Sequence, residues 1–557
     1  MIDRGESGAG VRTDIEAVWA RHRAIRARDR AFEAEALPPS LYALLSDAAT
    51  RYAERDALVL FETGERLTYG ALKDRVDRAA AALAARGFKK GMHVGVMLPN
   101  CANYPVLWLA LCRLGCVMIP ANVRYTAREL DYVLNDADAA ALVIHARFAG
   151  IWAAAAKRPP LLDPARVIAM GGAVEGAGAQ WDDILAAADP AVLPAEAGGL
   201  DDPSNIQYTS GTTGFPKGCV VPQRFWIVMA RTVRHQFGFA FKRVFIAQFF
   251  FYIDPMFIVP MAFLDGAAVY MCSQPRNANF MEWARAHAVE CCLLFEPVFK
   301  QPEHPLDGKN SLKIAYTFGL TKENHAPLEK RFNITAREMY GMTENGSCLY
   351  MPVEDTHMVG SGSCGIPSPY REVKIMGEDG LPVPTGEVGE LWTRGPGQMH
   401  GYYKKDQANA ESFRDGWFRT GDLFRVDADG YHTIVGRLKE MVRRGGENVA
   451  AREVEAVLRT MPEIREAAVV AVPDPVMGEE VMAYVQLQAG LDKETVTPQR
   501  ILAHCEANLA RFKVPRFIQY RDSFSYTASD RVEKKSLAKA GEDARAGAYD
   551  KLEKSWR

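Results

Sequence analysis

Six small residues in a row, Thr209 to Gly214, carry four hydroxyls and two glycines within the stretch Tyr208-Thr-Ser-Gly-Thr-Thr-Gly-Phe-Pro-Lys-Gly218. Hydroxyls and bare backbone N–H groups in such a run can converge on one anion, as Gly-rich loops do for phosphate. Pro216 stiffens the exit, and Lys217 adds a mobile cation that can follow the phosphate charge. Clusters of Gly, Ser and Thr are ordinarily plain turns. The ordered string closed by a lysine is what points to an anion here. It is not a Walker A loop, because the Gly-Lys-Ser/Thr ending is missing.

A loop of this kind needs a strand to carry it, and Ser204-Asn-Ile-Gln-Tyr208 reads as that strand, at whose carboxyl end α/β folds bind nucleotides. Upstream, helix and strand patterns alternate. Helices are expected over 41–53, 68–86 and 104–114, and strands over 57–61, 94–98 and 116–120. This rhythm argues for mostly parallel sheets with helices on both faces. Residues 1–38 are charged and Ala-rich, with Arg21, Arg23, Arg26, Arg28 and Arg30 on one helical stretch; flanking Asp and Glu make it a solvated surface helix rather than a nucleic-acid arm.

At 557 residues the chain needs two or three domains, and its formal net charge of −2 gives no electrostatic attraction to nucleic acid or an anionic membrane. Ten cysteines are scattered without a CxxC pair, and Cys291-Cys292 sits in an apolar run that reads as core. Reduced thiols, no eighteen-residue apolar run and no signal-peptide pattern lead to the expectation of a soluble cytoplasmic protein. His, Cys and Asp show no metal-ligand spacing.

Further strings accompany the loop. They are Met97-Leu-Pro-Asn100, Glu338-Met-Tyr-Gly-Met-Thr-Glu344, Trp417-Phe-Arg-Thr-Gly-Asp422, Gly436-Arg-Leu-Lys-Glu440 and Arg443-Arg-Gly-Gly-Glu-Asn-Val449. In their order and spacing, over about residues 40–540, they resemble the adenylate-forming (ANL) superfamily, which includes acyl-CoA synthetases, firefly luciferase and peptide-synthetase adenylation domains. The resemblance implies an α/β fold. A large N-terminal domain of helix-flanked parallel sheets with a β-rich subdomain (Gly362 to Tyr403) would occupy 39–435, after an N-terminal helical extension over 1–38. A hinge at 436–440 would lead to a small mobile α+β domain over 441–557.

It also implies roles. Thr209, Ser210, Gly211, Thr212, Thr213, Gly214 and Lys217 would cradle phosphate. Gly319, in Thr317-Phe-Gly-Leu320, would form the adenine turn, Tyr340 with Gly341 would stack on adenine, Thr343 would bond the α-phosphate, and Glu344 would hold Mg²⁺. Asp422 would accept the ribose hydroxyls, Arg437 would contact ribose or phosphate, and Lys439 would be the pivot. Gly446 and Glu447 would line the pantetheine tunnel once the small domain has swung to its thioester-forming pose. Phe250, Phe251, Tyr252 and Met339 would wall an apolar acyl pocket. ATP or acyl-AMP, CoA and Mg²⁺ are the implied cofactors.

One motif departs. The family reads Phe-Pro-x-Thr-x-x-Gly-Lys-Val-x-Lys near its end, where this chain has Phe524-Ser-Tyr-Thr-Ala-Ser-Asp-Arg-Val-Glu-Lys-Lys535. Asp530 and Arg531 replace the Gly-Lys whose ammonium bridges substrate carboxylate and α-phosphate. Attack of a carboxylate on ATP brings like charges together, so a bridging point charge counts most in the transition state. Arginine keeps the charge but has a larger, planar head. The reading is an acyl-CoA ligase that joins an acyl-adenylate to CoA with adenylation weak or lost, resembling the non-adenylating ligases of natural-product pathways. Its partners would be a carboxylic acid or its adenylate, CoA, and a separate adenylating enzyme. Three alternatives stay open: a complete two-step synthetase, a ligase that acylates a carrier-protein thiol, and a nucleotide-binding pseudoenzyme.

Overall fold

The computed structural model describes residues 15–557 except 194, 210–215, 321, 378, 438–440, 526–531, 533, 535–536 and 538–542. Ser210, Gly211, Thr212, Thr213, Gly214, Lys439, Asp530 and Arg531 therefore lie outside the described residues, as does the side chain of Arg437.

The expected alternation is present: helix Leu41–Tyr52, strand Asp56–Leu60, helix Tyr69–Ala85, strand His93–Met97, helix Asn103–Arg113 and strand Val117–Pro120. Two of these helices begin where a hydroxyl can close the first turn. Ser40 Oγ accepts from Ala43 N at 2.9 Å, and Thr68 Oγ1 from Ala71 N at 3.2 Å. Gly95 sits mid-strand because a Cβ there would come within 2.5 Å of Leu134 Cδ2, on the helix packed above.

Among the described residues, two large sheets of nine and eight strands carry the N-terminal domain, a five-stranded sheet follows, and a seven-stranded sheet forms the C-terminal domain. In the nine-stranded sheet, Arg243–Ile246, Cys291–Leu293, Ile314–Thr317 and Thr335–Met342 pair in parallel in that order. Their carboxyl ends therefore share one edge. The C-terminal domain has its own core around Val454, Leu458, Val469, Val485 and Ile518. Cys291 and Cys292 are buried on opposite faces of their strand, as the apolar run predicts.

The β-rich subdomain is present as the five-stranded sheet of Glu372–Met376, Val388–Arg394, Phe413–Arg414, Trp417–Val426 and His432–Arg437, with bounds other than Gly362 to Tyr403. Ile366–Pro367 joins the nine-stranded sheet, Glu372–Met376 and Val388–Arg394 enter the five-stranded sheet, and Gly401–Tyr402 pairs with Lys217–Pro222 in the eight-stranded sheet. Strand patterning reports that residues pair, not with what, and short edge strands carry too few side chains to name a partner. The helix Ile15–Glu33 lies on the large domain, burying Val18 and Ile25; its charges pair with that surface, as in Arg21–Asp355 at 2.8 Å and His235–Asp29 at 3.0 Å.

Candidate functional site

The parallel strands end on one cleft of about 950 Å³. Tyr252 to Asp254 follow Arg243–Ile246, Phe295 and Glu296 follow Cys291–Leu293, Phe318 and Gly319 follow Ile314–Thr317, and Tyr340 to Thr343 close Thr335–Met342. Gln207, Tyr208 and Thr209, from the strand that leads into the small-residue loop, face them from the other large sheet. A cleft at strand carboxyl ends is where open α/β sheets hold ligands. Arg443, Gly446, Glu447 and Lys513 complete it from the C-terminal domain.

At one end Tyr340 donates its hydroxyl hydrogen to Asp422 Oδ2 at 2.7 Å, and its ring meets Phe424 edge-on at 4.8 Å. Asp422 is buried, and backbone pairing sets Arg437 directly opposite it. Gly319 has φ +66°, a left-handed turn that glycine adopts without strain. The turn is tied down by Glu338, whose carboxylate accepts from Thr317 Oγ1 at 2.7 Å and from the Gly319 and Leu320 amides. Burial pushes the Glu338 carboxyl up to about 7.

The small-residue run 210–215 lies outside the described residues, and its flanks are placed by two tyrosines. Tyr132 donates to the Pro216 carbonyl at 2.9 Å, and Lys217 Nζ stands 3.9 Å from the centre of the Tyr402 ring. The Tyr402 hydroxyl donates to Glu344 Oε1 at 2.9 Å. The short strand Gly401–Tyr402 thus brings Lys217 and Glu344 to one place, with Thr343 in the same lining. Tyr402 had no spacing signal; its partner strand lies about 180 residues upstream, beyond any local periodicity.

The C-terminal domain enters through the turn between Met441–Arg444 and Glu447–Ala450, where Gly445 and Gly446 have φ +55° and +85°. Glu447 accepts from Arg124 Nη1 at 2.8 Å and from the Tyr252 hydroxyl, both in the N-terminal domain, and burial raises its pKa. Lys513 is 3 % exposed and bridges Glu129 of the N-terminal domain (3.2 Å) and Glu453 of its own (2.7 Å). Coulomb attraction from the two carboxylates holds its ammonium charged despite the desolvation. The described residues flanking Arg531 sit elsewhere. Phe524, Val532 and Leu537 pack on the C-terminal sheet, and Lys534 pairs with Glu455 at 2.7 Å; none of them lines the cleft.

The expected acyl wall divides. Tyr252 and Met339 line the cleft, whereas Phe250 and Phe251 do not. Phe250 is core, edge-on to Tyr104 at 5.0 Å, because its amide is held by Asn100 Oδ1 at 2.8 Å and the side chain turns inward. The Phe251 carbonyl accepts from Gln207 Nε2 at 2.5 Å. The lining at this end is Gln207, Tyr252 and Asp254, so it is not wholly apolar. Asp254 lies two residues past the end of the aromatic run that drew the sequence assignment.

Residues 45–403 match the AMP-binding enzyme family, and residues 453–531 match its C-terminal domain. Over 508 residues the chain is 31% identical to the sulfoacetate–CoA ligase of Cupriavidus necator, covering 89% of this chain and 97% of that protein. An amide bond synthetase from Marinactinospora thermotolerans superposes with a TM-score of 0.80 at 25% identity, covering 89% and 99% of the two chains. A double mutant of the o-succinylbenzoate CoA synthetase of Bacillus subtilis bound with its product analogue gives 0.78 at 23% identity, covering 90% of this chain and 98% of that one. The same enzyme in complex with its acyl-adenylate intermediate gives 0.63 at 23%, covering 91% and 100%.

Proposed function

We propose that this chain, which belongs to the AMP-binding enzyme family and within it to the acyl-CoA synthetases and ligases, forms an acyl-CoA thioester from an acyl-adenylate and CoA, with its ATP-dependent adenylation step weak or lost. The observation that carries the thioester assignment is the docking of the Gly445-Gly446-Glu447 turn into the cleft, through Glu447 to Tyr252 and Arg124 and through Lys513 to Glu129.

In this reading Tyr340, Gly341 and Gly319 take adenine, Asp422 and Arg437 the ribose, and Thr343, Lys217, Thr209 and the loop residues Ser210 to Gly214 the phosphate. Glu447 and Gly446 wall the thiol's approach. The CoA thiol gives up its proton to solvent, sulfur bonds the acyl carbon, the bond from that carbon to the phosphate oxygen breaks, and AMP leaves with the electron pair. Glu344 suits Mg²⁺: one buried carboxylate, oriented by Tyr402, fits a small hard cation that keeps water and phosphate oxygens as its other ligands. Mg²⁺ would supply charge neutralisation at the phosphates during any adenylation.

The weak adenylation rests on Asp530-Arg531 in the sequence. Loss of one preorganised contact to developing charge costs about 3–4 kcal/mol, roughly 10²–10³ in rate. A separate adenylating enzyme in the cytoplasm would then supply the intermediate. Synthetic acyl-adenylates plus CoA should yield acyl-CoA and AMP in single turnovers. Absence of thioester at saturating CoA, with adenylate bound, would overturn the reading, and a phosphopantetheinyl carrier protein outcompeting CoA would replace the acceptor.

A further inference from the structure

Asp254 opens the helix Ile253–Asp265 and lines the cleft, yet among the described residues no hydrogen bond or ion pair reaches its carboxylate. Of the described cations of the cleft, Arg443 stands at the Gly319 turn, its Nη1 3.8 Å from where a Cβ on Gly319 would lie, and the others are engaged elsewhere. Lys300 pairs with Glu296 at 3.1 Å, Lys513 with Glu129 and Glu453, and Arg419 with Glu390 at 2.9 Å, while Lys217 stands over Tyr402. Burial alone pushes the Asp254 carboxyl up to about 7.

A second acceptor lines the same cleft, Gln207, which is 5 % exposed. Its amide is oriented by the 2.5 Å bond from Nε2 to the carbonyl of Phe251, three residues before Asp254. That leaves Oε1 buried, with no donor from any described residue. A buried amide oxygen without a donor is costly unless a ligand supplies one, and the half-buried Asp254 carboxylate lines the same cleft with no partner among the described residues.

The position identifies which part of a ligand that is. Asp254 follows the strand Arg243–Ile246, and Tyr340 lies on Thr335–Met342, three strands away in the parallel sheet. At strand spacing that is about 14 Å, so Asp254 faces the end of the cleft away from Tyr340 and Asp422.

We infer that the acyl end of the cleft takes a carboxylic acid carrying a protonated amine, whose N–H groups donate to Asp254 and to Gln207 Oε1. The inference rests on the adenylate-binding reading above. Tyr252 and the stacked pair Phe295–Phe318, 6.1 Å between centres, supply aromatic faces to the same cleft, which favour an organic cation over an anion. A sulfonate or second carboxylate at this end would meet Asp254 with like charge.

The test uses the full chain and acyl-sulfamoyladenosine probes that differ only at the acyl tip, read by calorimetry. The tips are an ammonium, a methyl of the same chain length, a trimethylammonium and a sulfonate, on acyl chains of about three to six carbons. The ammonium probe of the fitting length should bind at least tenfold tighter than its methyl isostere, with the sulfonate weakest. Asp254→Asn should erase that preference while changing methyl-probe affinity less than threefold, which also reports an intact fold. Gln207→Leu should reduce the margin of ammonium over trimethylammonium. Equal or tighter binding of the methyl or trimethylammonium probe at every length would overturn the inference and leave the adenylate site standing. Failure of all probes to bind would overturn the adenylate-binding reading, and this inference with it.

Discussion

Tyr340 and Asp422 are 82 residues apart and meet through one 2.7 Å hydrogen bond. Removing the hydroxyl in Tyr340→Phe keeps the ring but leaves a buried carboxylate short of a donor, at a cost of about 1–3 kcal/mol. Affinity for an acyl-sulfamoyladenosine should fall about tenfold by calorimetry; an unchanged affinity would remove Asp422 from the nucleotide site. Glu338 makes a pH prediction. Its carboxyl titrates near 4.5 in the unfolded chain and is raised to about 7 in the fold. Between those values the folded state holds a proton that the unfolded state has released, so this group's contribution falls as pH rises through the window. The full difference is on the order of 3 kcal/mol. Glu338→Gln cannot ionise, so its melting temperature relative to the parent protein should climb between pH 5 and pH 8. A constant offset would contradict the assigned burial.

The element that matters most is the turn after Met441–Arg444, held against the N-terminal domain by Glu447 and by the Lys513 bridge. Breaking the bridge from the N-terminal side is the cleaner experiment. Glu129→Gln leaves Lys513 its partner Glu453, and the new amide oxygen can still accept from the Thr126 backbone as Glu129 does at 2.9 Å. Thioester formation from acyl-adenylate and CoA should slow about tenfold, with probe affinity and melting temperature nearly unchanged, because only the docked arrangement of a mobile domain is lost. Equal loss of probe affinity would show that the bridge serves the fold instead. At this scale much was legible in advance. Small-residue runs, Tyr-Gly-x-Thr-Glu and the Gly-Gly-Glu-Asn turn are local strings whose residue types state their chemistry. Tyr402, Gln207 and Asp254 were not. Each owes its place to a pairing or a helix start that brings distant chain together, and a lone Gln or Asp carries no sign of whether its partner is protein or ligand. Phe250 shows the converse error: an aromatic run beside a pocket is also how a core is written, and Asn100 decides which way the ring turns.

For the whole molecule, two observations pull together. The Gly445-Gly446-Glu447 turn docks into the cleft, while the described residues Phe524, Val532 and Leu537 pack on the C-terminal sheet and Lys534 pairs with Glu455. No described helix is long and apolar enough to cross a membrane, and the described residues hold no cluster of three or more metal-ligating side chains. The central claim is that exchange of an acyl group between phosphate and thiol survives while activation of the free acid does not. The direct measurement runs both half-reactions on one preparation: pyrophosphate release from ATP, Mg²⁺ and a panel of free acids, and AMP release from the matching acyl-adenylates with CoA. The account predicts AMP release at least 10²-fold faster than pyrophosphate release, with the gap narrowed in the double variant Asp530→Gly, Arg531→Lys. Comparable rates in the unaltered protein would contradict it and leave a complete two-step ligase.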